Sequence, residues 1–261
     1  MNPTLDVLYQ RRSVRSYRDE PLAAEHREAI LQAAFRAPTA GNMMLYSIIE
    51  VEDQVLKDRL AETCDHQPFI ARAPWVLVFL ADYQRWMDAF AYTAAPQRAA
   101  ELGLPQRAPQ EGDLLLAMSD TIIAAQNAVV AAESLGVGSC YIGDILEQYE
   151  VHRQLFNLPR YALPVCMLCF GYPKREDPPA LSPRFPAEYI LHRDQYHRLE
   201  PQDVQAMTAP IEERYHANGN YIAGAQNLPQ HVYLRKFTAD FSVEMSRSAR
   251  AMLRAWCGEE E

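Results

Sequence analysis

The sequence predicts an α+β fold in a single domain. Helical and strand patterns alternate along the 261 residues without an internal repeat, and no stretch resembles an interdomain linker. A hydrophobic fraction of 49% with 23% charged residues is typical of a soluble globular chain that buries a sizeable core. We place the main domain at residues 1–199 and a helical C-terminal extension of the same domain at residues 200–261.

The periodicity of apolar residues and the positions of turn residues predict the helices and strands along the chain. The stretch 74–83 is apolar over most of its length, which indicates a central strand. Residues 93–112 carry three prolines and two glycines and predict a surface loop, a candidate lid and specificity element. The predicted helices are 4–10 (with Thr4 as its N-cap), 23–37, 54–64, 114–135 and 146–156; the predicted strands are 45–51, 74–83, 140–145 and 163–173; a proline-rich stretch follows at 173–186 and a mostly helical tail at 200–257.

The longest predicted helix, 114–135, is apolar nearly all round. Asp113 is placed to cap it and Gly136 to end it. Its polar residues come in pairs seven apart, which predicts one narrow polar stripe on an otherwise apolar cylinder. Such a helix is expected to be buried on most sides, in the middle of the domain or at a subunit interface. Because these polar residues interrupt it, we predict no membrane span here.

Charge and cysteine usage exclude several classes of protein. A formal net charge of −9 disfavours a general binder of nucleic acid or anionic membrane. The first residues are polar where a signal peptide is apolar, so we expect a cytoplasmic protein. Five scattered cysteines do not form a disulfide framework, and Cys166 and Cys169 are expected on opposite faces of one buried strand. No motif with metal-ligand spacing is present, so no metal site is predicted.

The glycine-rich stretch LGVGSCYIGD at 135–144 is not a dinucleotide-binding loop. The third glycine of that fingerprint falls at Tyr141, and the helix precedes the glycines instead of following them. The chain also has no phosphate-binding P-loop and no nucleophile elbow, and no side chain is predicted to be catalytic. The glycines still allow the backbone to approach a flat or bulky group closely.

Four arginines lie within eight positions near the N-terminus, in RRSVRSYRDEPL at 11–22. They form either a solvated face or the pocket for an anion that the rest of this acidic chain would repel. Residue type and spacing alone favour the solvated face, because most charge clusters are solvated.

Five sequence segments favour the anion pocket over the solvated face. RRSVRSY, APTAGN, LGVGSCYIGD, GYP and SPR occur in an order and at spacings that resemble the nitroreductase/flavin reductase family of FMN-dependent enzymes, in the group with a longer C-terminal extension. The resemblance covers about residues 5–186. It implies a nitroreductase-like fold with a central, mainly antiparallel sheet flanked by helices. It also implies a homodimer with two FMN sites at the interface, with helix 114–135 at its core.

The resemblance assigns site residues one by one. Arg11, Arg12 and Ser13 match positions that wrap the FMN phosphate, which forked, charged donors suit. Arg15 matches the cation beside N1 and O2 of the flavin, where negative charge accumulates on reduction. Arg18 remains a solvated arginine. The other implied residues are Thr39, Ala40, Gly41 and Asn42, brought in from the other subunit; Gln67 at the flavin edge; Tyr141, Ile142, Gly143 and Asp144 along the ring; and Arg184 as a second phosphate arginine.

This chain departs from the family pattern at several of these positions. Ser182 stands where a lysine is usual, two residues before Arg184, which removes a positive charge near the phosphate. Met44 stands where a glutamine is common, and Met43 is bulky. Asp144 occupies a position that is often glycine. These changes imply lower FMN affinity, a more apolar pocket and altered access to the ring.

The implied function is an FMN-dependent oxidoreductase that passes electrons from NAD(P)H to a nitroaromatic, quinone or flavin acceptor by a ping-pong hydride mechanism. NADPH or NADH would be the reductant, and Arg214, Arg235 and Lys236 are candidate contacts for a 2′-phosphate. Other reactions of the scaffold remain open, namely reductive dehalogenation, flavin destruction and azoline-type oxidation. So do a non-catalytic FMN-binding module and an α+β interaction protein without flavin.

Overall fold

A computed structural model describes residues 2–175, 180–219, 221 and 224–259. The chain divides into two compact units, Met1–Asp177 with Glu244–Glu261, and Pro178–Val243. The predicted division at residue 199 stays a prediction. The helices are α1 Pro3–Gln10, α2 Ala24–Phe35, α3 Gln54–Thr63, α4 Pro68–Ala71, α5 Gln84–Tyr92, α6 Ala95–Glu101, α7 Glu111–Ser134, α8 Tyr149–Leu155, α9 Pro201–Asn218, α10 Leu228–Val232 and α11 Asp240–Cys257; the strands are β1 Tyr46–Val51, β2 Trp75–Asp82, β3 Gly138–Ile142 and β4 Ala162–Gly171.

The four strands form one sheet in the order β1-β2-β4-β3, and every neighbouring pair is antiparallel. This confirms the predicted α+β class and the antiparallel sheet. Both central strands, β2 and β4, are buried along their whole length, as their apolar runs predicted. Cys166 belongs to the core on one face of the sheet and Cys169 to the core on the other. The two thiols therefore point apart, as alternation along a strand requires.

Helix α7 is the central helix of the first unit. Its small residues Ala124, Ala125 and Ala128 pack with α2 and with one face of the sheet. By length and composition α7 would pass as a membrane span. The buried carboxylates Asp113 and Asp120, together with this packing, identify it instead as a core helix.

The predicted surroundings of α7 were partly wrong. The helix begins at Glu111, and Asp113 lies in its first turn, where its carboxylate accepts a hydrogen bond from the N–H of Gln110 at 2.9 Å. The polar pairs do not form one stripe, because consecutive residues on a helix point 100° apart. Asp120 is 2% exposed whereas its neighbour Ser119 is exposed. Four large side chains of the helix are exposed in the single chain, namely Leu115, Leu116, Ile122 and Ile123, so the predicted burial at a subunit interface stays a prediction.

Other corrections concern element ends. Residues 93–112 are not all loop, because α6 and the start of α7 fall within them; Pro96 lies in the first turn of α6, where a missing N–H costs nothing. Asn2, not Thr4, caps α1 by accepting from the N–H of Thr4. The strand predicted at 140–145 ends at Ile142 and a 3-10 turn follows. Helices α4 and α5 were missed, and the mostly helical tail is confirmed in the described residues.

The second unit consists mainly of helices. Glu212 on α9 accepts a hydrogen bond from the N–H of Leu228 at the start of α10, at 2.8 Å. Tyr215 and His231 bring the two helices together through an edge-on ring contact, with centroids 5.1 Å apart. Gly219 ends α9 with φ of 63°, a conformation that glycine adopts without strain.

Candidate functional site

The arginine-rich segment 11–18 is held against one end of the sheet. The N–H of Val14 donates to the carbonyl of Ser139 on β3 at 2.9 Å, and the N–H of Arg18 donates to the carbonyl of Tyr172 beyond β4 at 2.9 Å. Between these points the Tyr17 hydroxyl lies 2.7 Å from the carbonyl of Val14 and 3.2 Å from that of Cys169. The backbone between the arginines is therefore fixed on both strands.

Two glycines allow this close approach. A Cβ on Gly138 would lie 2.7 Å from Cβ of Val14, and a Cβ on Gly171 would lie 2.6 Å from the ring of Tyr17. Both distances are shorter than carbon atoms tolerate without a shift. The glycine of LGVGSC and the glycine of GYP thus have a structural role, which is to let the arginine segment lie flat on the strand ends.

The segment brings positive charge to the outside of β3. Arg11 and Arg12 lie near Glu133 at the end of α7, where they oppose the rise that burial causes in the pKa of this carboxyl. Arg15 and Arg11 likewise oppose the effect of burial on the pKa of Cys140, and Ser13 hydrogen-bonds that thiol. The fold therefore places the predicted phosphate residues and Arg15 along β3, beside Tyr141 and Ile142.

The end of β3 carries a second group of predicted residues. Gln67 precedes α4 and donates from Nε2 to Oδ2 of Asp144 at 2.7 Å and to the carbonyl of Cys64 at 3.0 Å. Between Ile142 and Asp144 lies Gly143, where a Cβ would meet no atom within 4 Å. The amide of Gln67 is thus engaged by Asp144, the residue that departs from the family pattern, while the strand end beside it is open.

The residues around β3 fit a phosphorylated, planar cofactor. Among the described residues, neither Arg11 nor Arg15 has a carboxylate within ion-pair distance. Guanidinium groups held beside a serine hydroxyl form the donor set that a phosphate dianion prefers. The backbone at Gly143 is uncrowded, since an added Cβ would meet no atom within 4 Å, and this leaves it accessible to a ligand.

The loop 39–42 lies at a different place on the same chain. Asp120 of α7 accepts hydrogen bonds from the N–H of Ala40 at 2.9 Å and from the N–H of Leu45 at 3.2 Å. Gly41 and Asn42 both have φ of 56°, so the loop turns sharply through the left-handed region of backbone conformation. Glycine and asparagine adopt this region more readily than most residues. A buried carboxylate therefore sets the shape of this loop, a role that the sequence analysis missed. The available signal was an aspartate within an apolar helix.

One chain does not bring the two groups of predicted residues together. Asp120, beneath the loop, and Glu133, beside Arg11 and Arg12, are 13 residues apart on α7, which corresponds to about 20 Å along the helix. Thr39 Oγ1 accepts from the N–H of Met44, within the loop itself. The loop is thus anchored far from the arginine segment of its own chain.

Arg184 and Met43 take part in hydrogen bonds of their own, and Met44 is partly exposed. Arg184 belongs to the second unit, where its guanidinium donates to the carbonyls of Ser182 and Pro183 at 3.2 and 3.4 Å. Met43 is fixed by a hydrogen bond from Trp86 Nε1 to its carbonyl at 2.8 Å. Met44 is 42% exposed.

A buried carboxyl follows the strand end. Glu147 is 4% exposed, and Asp144, Asp65 and Glu244 add negative charge around it, so burial and repulsion raise its pKa to about 7. Its Oε1 has no hydrogen-bond partner among the described residues. Glu147 is therefore a group whose ionisation the fold opposes.

Replacing Glu147 by Gln is expected to stabilise the protein at pH 8 and not at pH 4. The unfolded chain has a glutamate pKa near 4.3, so as the pH rises it releases this proton before the folded chain does, and the free energy of unfolding falls until about pH 7. The variant does not suffer this loss of stability, which is up to about 4 kcal/mol at 1.36 kcal/mol per pKa unit. Urea unfolding at both pH values measures it, with the exposed Glu52→Gln as control. An equal gain at pH 4 would contradict this account.

Replacing Gly138 by Ala is expected to displace Val14 and the arginines around it. Overpacking of this kind costs about 1–3 kcal/mol of stability, and we expect affinity for FMN to fall about tenfold. Fluorescence titration of flavin measures the affinity. A second change, Val14→Gly, removes the Cβ and the methyl groups that clash and should restore binding, while Gly112→Ala, which meets no atom within 4 Å, is the matched control. Unchanged affinity in Gly138→Ala would show that the segment does not hold the ligand.

The fold and this cationic strand edge are those of a flavin-binding class of α+β proteins. The family model of the nitroreductase family matches residues 8–172. The chain belongs to the nitroreductase family. This confirms the predicted family and fold.

Individual relatives of known name support this family assignment. The chain is 36% identical over 220 residues to an oxygen-insensitive NADPH nitroreductase of Salmonella typhimurium, covering 84% of this chain and 85% of the relative. It is 34% identical over 196 residues to an FMN reductase [NAD(P)H] of Bacillus subtilis, covering 75% of each. Its structure superposes on that of B. megaterium NfrA2 with a TM-score of 0.82, at 30% identity and 98% coverage of both chains. It also superposes on the NADPH:FMN oxidoreductase of Vibrio harveyi complexed with NAD+, with a TM-score of 0.76 at 26% identity, covering 97% of this chain and 98% of that one.

Proposed function

We propose that this protein reduces small-molecule acceptors with electrons from NAD(P)H, using FMN as its cofactor. The predicted enzyme class and cofactor are confirmed at the level of the family, whose members are named as NADPH nitroreductase, NADPH-flavin oxidoreductase and FMN reductase. The observation that carries the proposal for this chain is the arginine segment held on β3 by the Val14–Ser139 hydrogen bond. It supplies fixed cationic donors beside an open strand edge.

Each group of residues has one task in this proposal. Arg11, Arg12 and Ser13 bind the phosphate, and the backbone of 141–144 lies along the ring. Arg15 holds a fixed positive charge at the pyrimidine end of the ring, which favours the reduced state by electrostatic attraction. Bound FMN supplies the two-electron chemistry, so no protein nucleophile is needed. Reductant and acceptor then use the same open face in turn, which predicts ping-pong kinetics.

A homodimer completes the site. The loop 39–42 is anchored about 20 Å along α7 from Glu133, beside which the phosphate arginines lie, so a second copy supplies it more simply than a rearrangement of the first. The outward face of α7 offers the contact, because Leu115, Leu116 and Ile122 are 64%, 51% and 44% exposed. Contiguous exposed apolar side chains on a core helix are typical of an oligomer interface. We propose a soluble, cytoplasmic homodimer with two FMN sites.

The visible spectrum of the purified protein tests the function. We expect flavin absorption that bleaches on anaerobic addition of NADPH or NADH and returns when a quinone or a nitroaromatic compound is added. Initial rates at varied concentrations of both substrates should give parallel double-reciprocal lines. Flavin that neither reductant bleaches would support a binding module instead, and protein that takes up no FMN would overturn the proposal.

A further inference from the structure

A basic groove lies on the first unit beside the arginine segment. It has a volume of about 840 Å³, a size that suits a nucleotide or a similar ligand. It is lined by five cationic side chains and two carboxylates, an excess of three positive charges in a chain whose net charge is −9. The cations are Arg15, Arg18, Lys57, Arg72 and Lys174, and the carboxylates are Asp19 and Glu20.

Lys57 is the unusual member of this set. It is 8% exposed, and its ammonium donates to the carbonyl of Ala73 at 3.2 Å. In the part of the chain that the structure describes, no carboxylate lies within ion-pair distance of it. A buried ammonium has three donors and a large desolvation cost, and one carbonyl offsets only part of that cost. A counter-anion in the groove would satisfy the remaining donors.

The carboxylates of the groove do not fill this role. Glu20 reaches Arg18 at 3.7 Å, with both side chains about half exposed, which is a weak contact. Arg72 and Lys174 are exposed at the rim, and their charge remains available to a ligand. Arg15 lies 5.9 Å from the ring centroid of Phe69, so one wall of the groove is apolar.

We propose that this groove binds a diphosphate-bearing small molecule through the buried ammonium of Lys57 and the guanidinium groups of Arg18 and Arg72. A single carboxylate would leave most of the positive charge uncompensated, whereas a diphosphate carries two to three negative charges. Guanidinium groups bind its oxygens in a forked manner, and the ammonium acts as a point charge. The proposal does not depend on flavin binding, because Lys57 and Arg72 are not among the residues assigned to FMN.

Calorimetric titration of the flavin-loaded protein with inorganic pyrophosphate tests the proposal, because bound FMN occupies its own phosphate site. We expect saturable binding of one equivalent per chain that weakens as salt is added. Lys57→Met should weaken this binding at least tenfold and Arg72→Ala at least threefold. The control Arg59→Ala removes a cation from the same helix α3, where Arg59 pairs with Glu62 on the surface, and should leave the affinity unchanged. Absence of saturable binding would overturn the proposal.

Further variants keep the result interpretable. If Lys57→Met does not fold, the exposed Arg72→Ala and Lys174→Ala carry the test together, and an unchanged affinity in both would overturn the proposal. An Arg11→Ala, Arg12→Ala variant should lose FMN affinity but retain pyrophosphate binding, so the two proposals fail separately. Titration with ADP distinguishes the source of the ligand: tighter binding than pyrophosphate indicates a nucleotide, and equal binding indicates recognition of the diphosphate alone.

Discussion

Replacing Arg11 and Arg12 together by alanine is expected to lower FMN affinity by at least about a hundredfold. Each guanidinium would make charge-assisted hydrogen bonds to the phosphate, and a hydrogen bond to a charged group contributes about 1.5–3 kcal/mol. Two of them correspond to about 3–6 kcal/mol. The fold should be retained, because the backbone hydrogen bond from Val14 to Ser139 holds the segment on β3. Fluorescence titration of the flavin-free protein measures the change.

Two further variants separate charge from geometry in this prediction. Replacing both arginines by lysine keeps the charge but removes the fork, and an intermediate loss of affinity is expected. Arg98→Ala removes a surface arginine that pairs with Glu101 and should leave FMN affinity unchanged. If the double alanine variant binds FMN as the parent does, the arginine cluster is a solvated surface after all.

Replacing Leu116 and Ile123 by glutamate is expected to dissociate the proposed dimer and to release FMN. The two residues are 51% and 39% exposed and lie seven positions apart, on one face of α7. Charges buried in an apolar interface without partners cost several kcal/mol each, which exceeds what a dimer of ordinary affinity tolerates. Because the loop 39–42 is anchored about 20 Å along α7 from Glu133, beside the phosphate arginines, a monomer would lack one half of each site.

Light scattering gives the mass, and the ratio of flavin to protein absorbance gives the occupancy. The matched control is Val55→Glu, which charges an apolar residue that is 75% exposed on α3 and should change neither quantity. Dissociation with full flavin occupancy would show that one chain holds the cofactor alone. A variant that remains dimeric would place the interface elsewhere.

Sequence patterns were sufficient wherever the relevant contacts are local. The apolar runs of β2 and β4 predicted central strands, and alternation along β4 predicted that Cys166 and Cys169 face opposite cores, as they do. The five motifs predicted the family. Helix ends were less predictable, because capping depends on which side chain reaches a free N–H, and Asp113 was read as the cap when it lies within the first turn of α7.

Contacts between residues far apart in the sequence decided how the loop 39–42, the arginine segment and the basic groove are formed. The sequence by itself determined the α+β class through residue periodicity and the family through the resemblance of five motifs, whereas residue type and spacing alone favoured a solvated face for the arginine segment. Only the tertiary structure assigned Asp120 to the loop beneath it, Gly138 to the packing of Val14, and Lys57 to a groove with four other cations. Spacing along one element cannot reveal such contacts, since they join residues up to about 120 positions apart. They arise when the core packs and brings those elements to one surface.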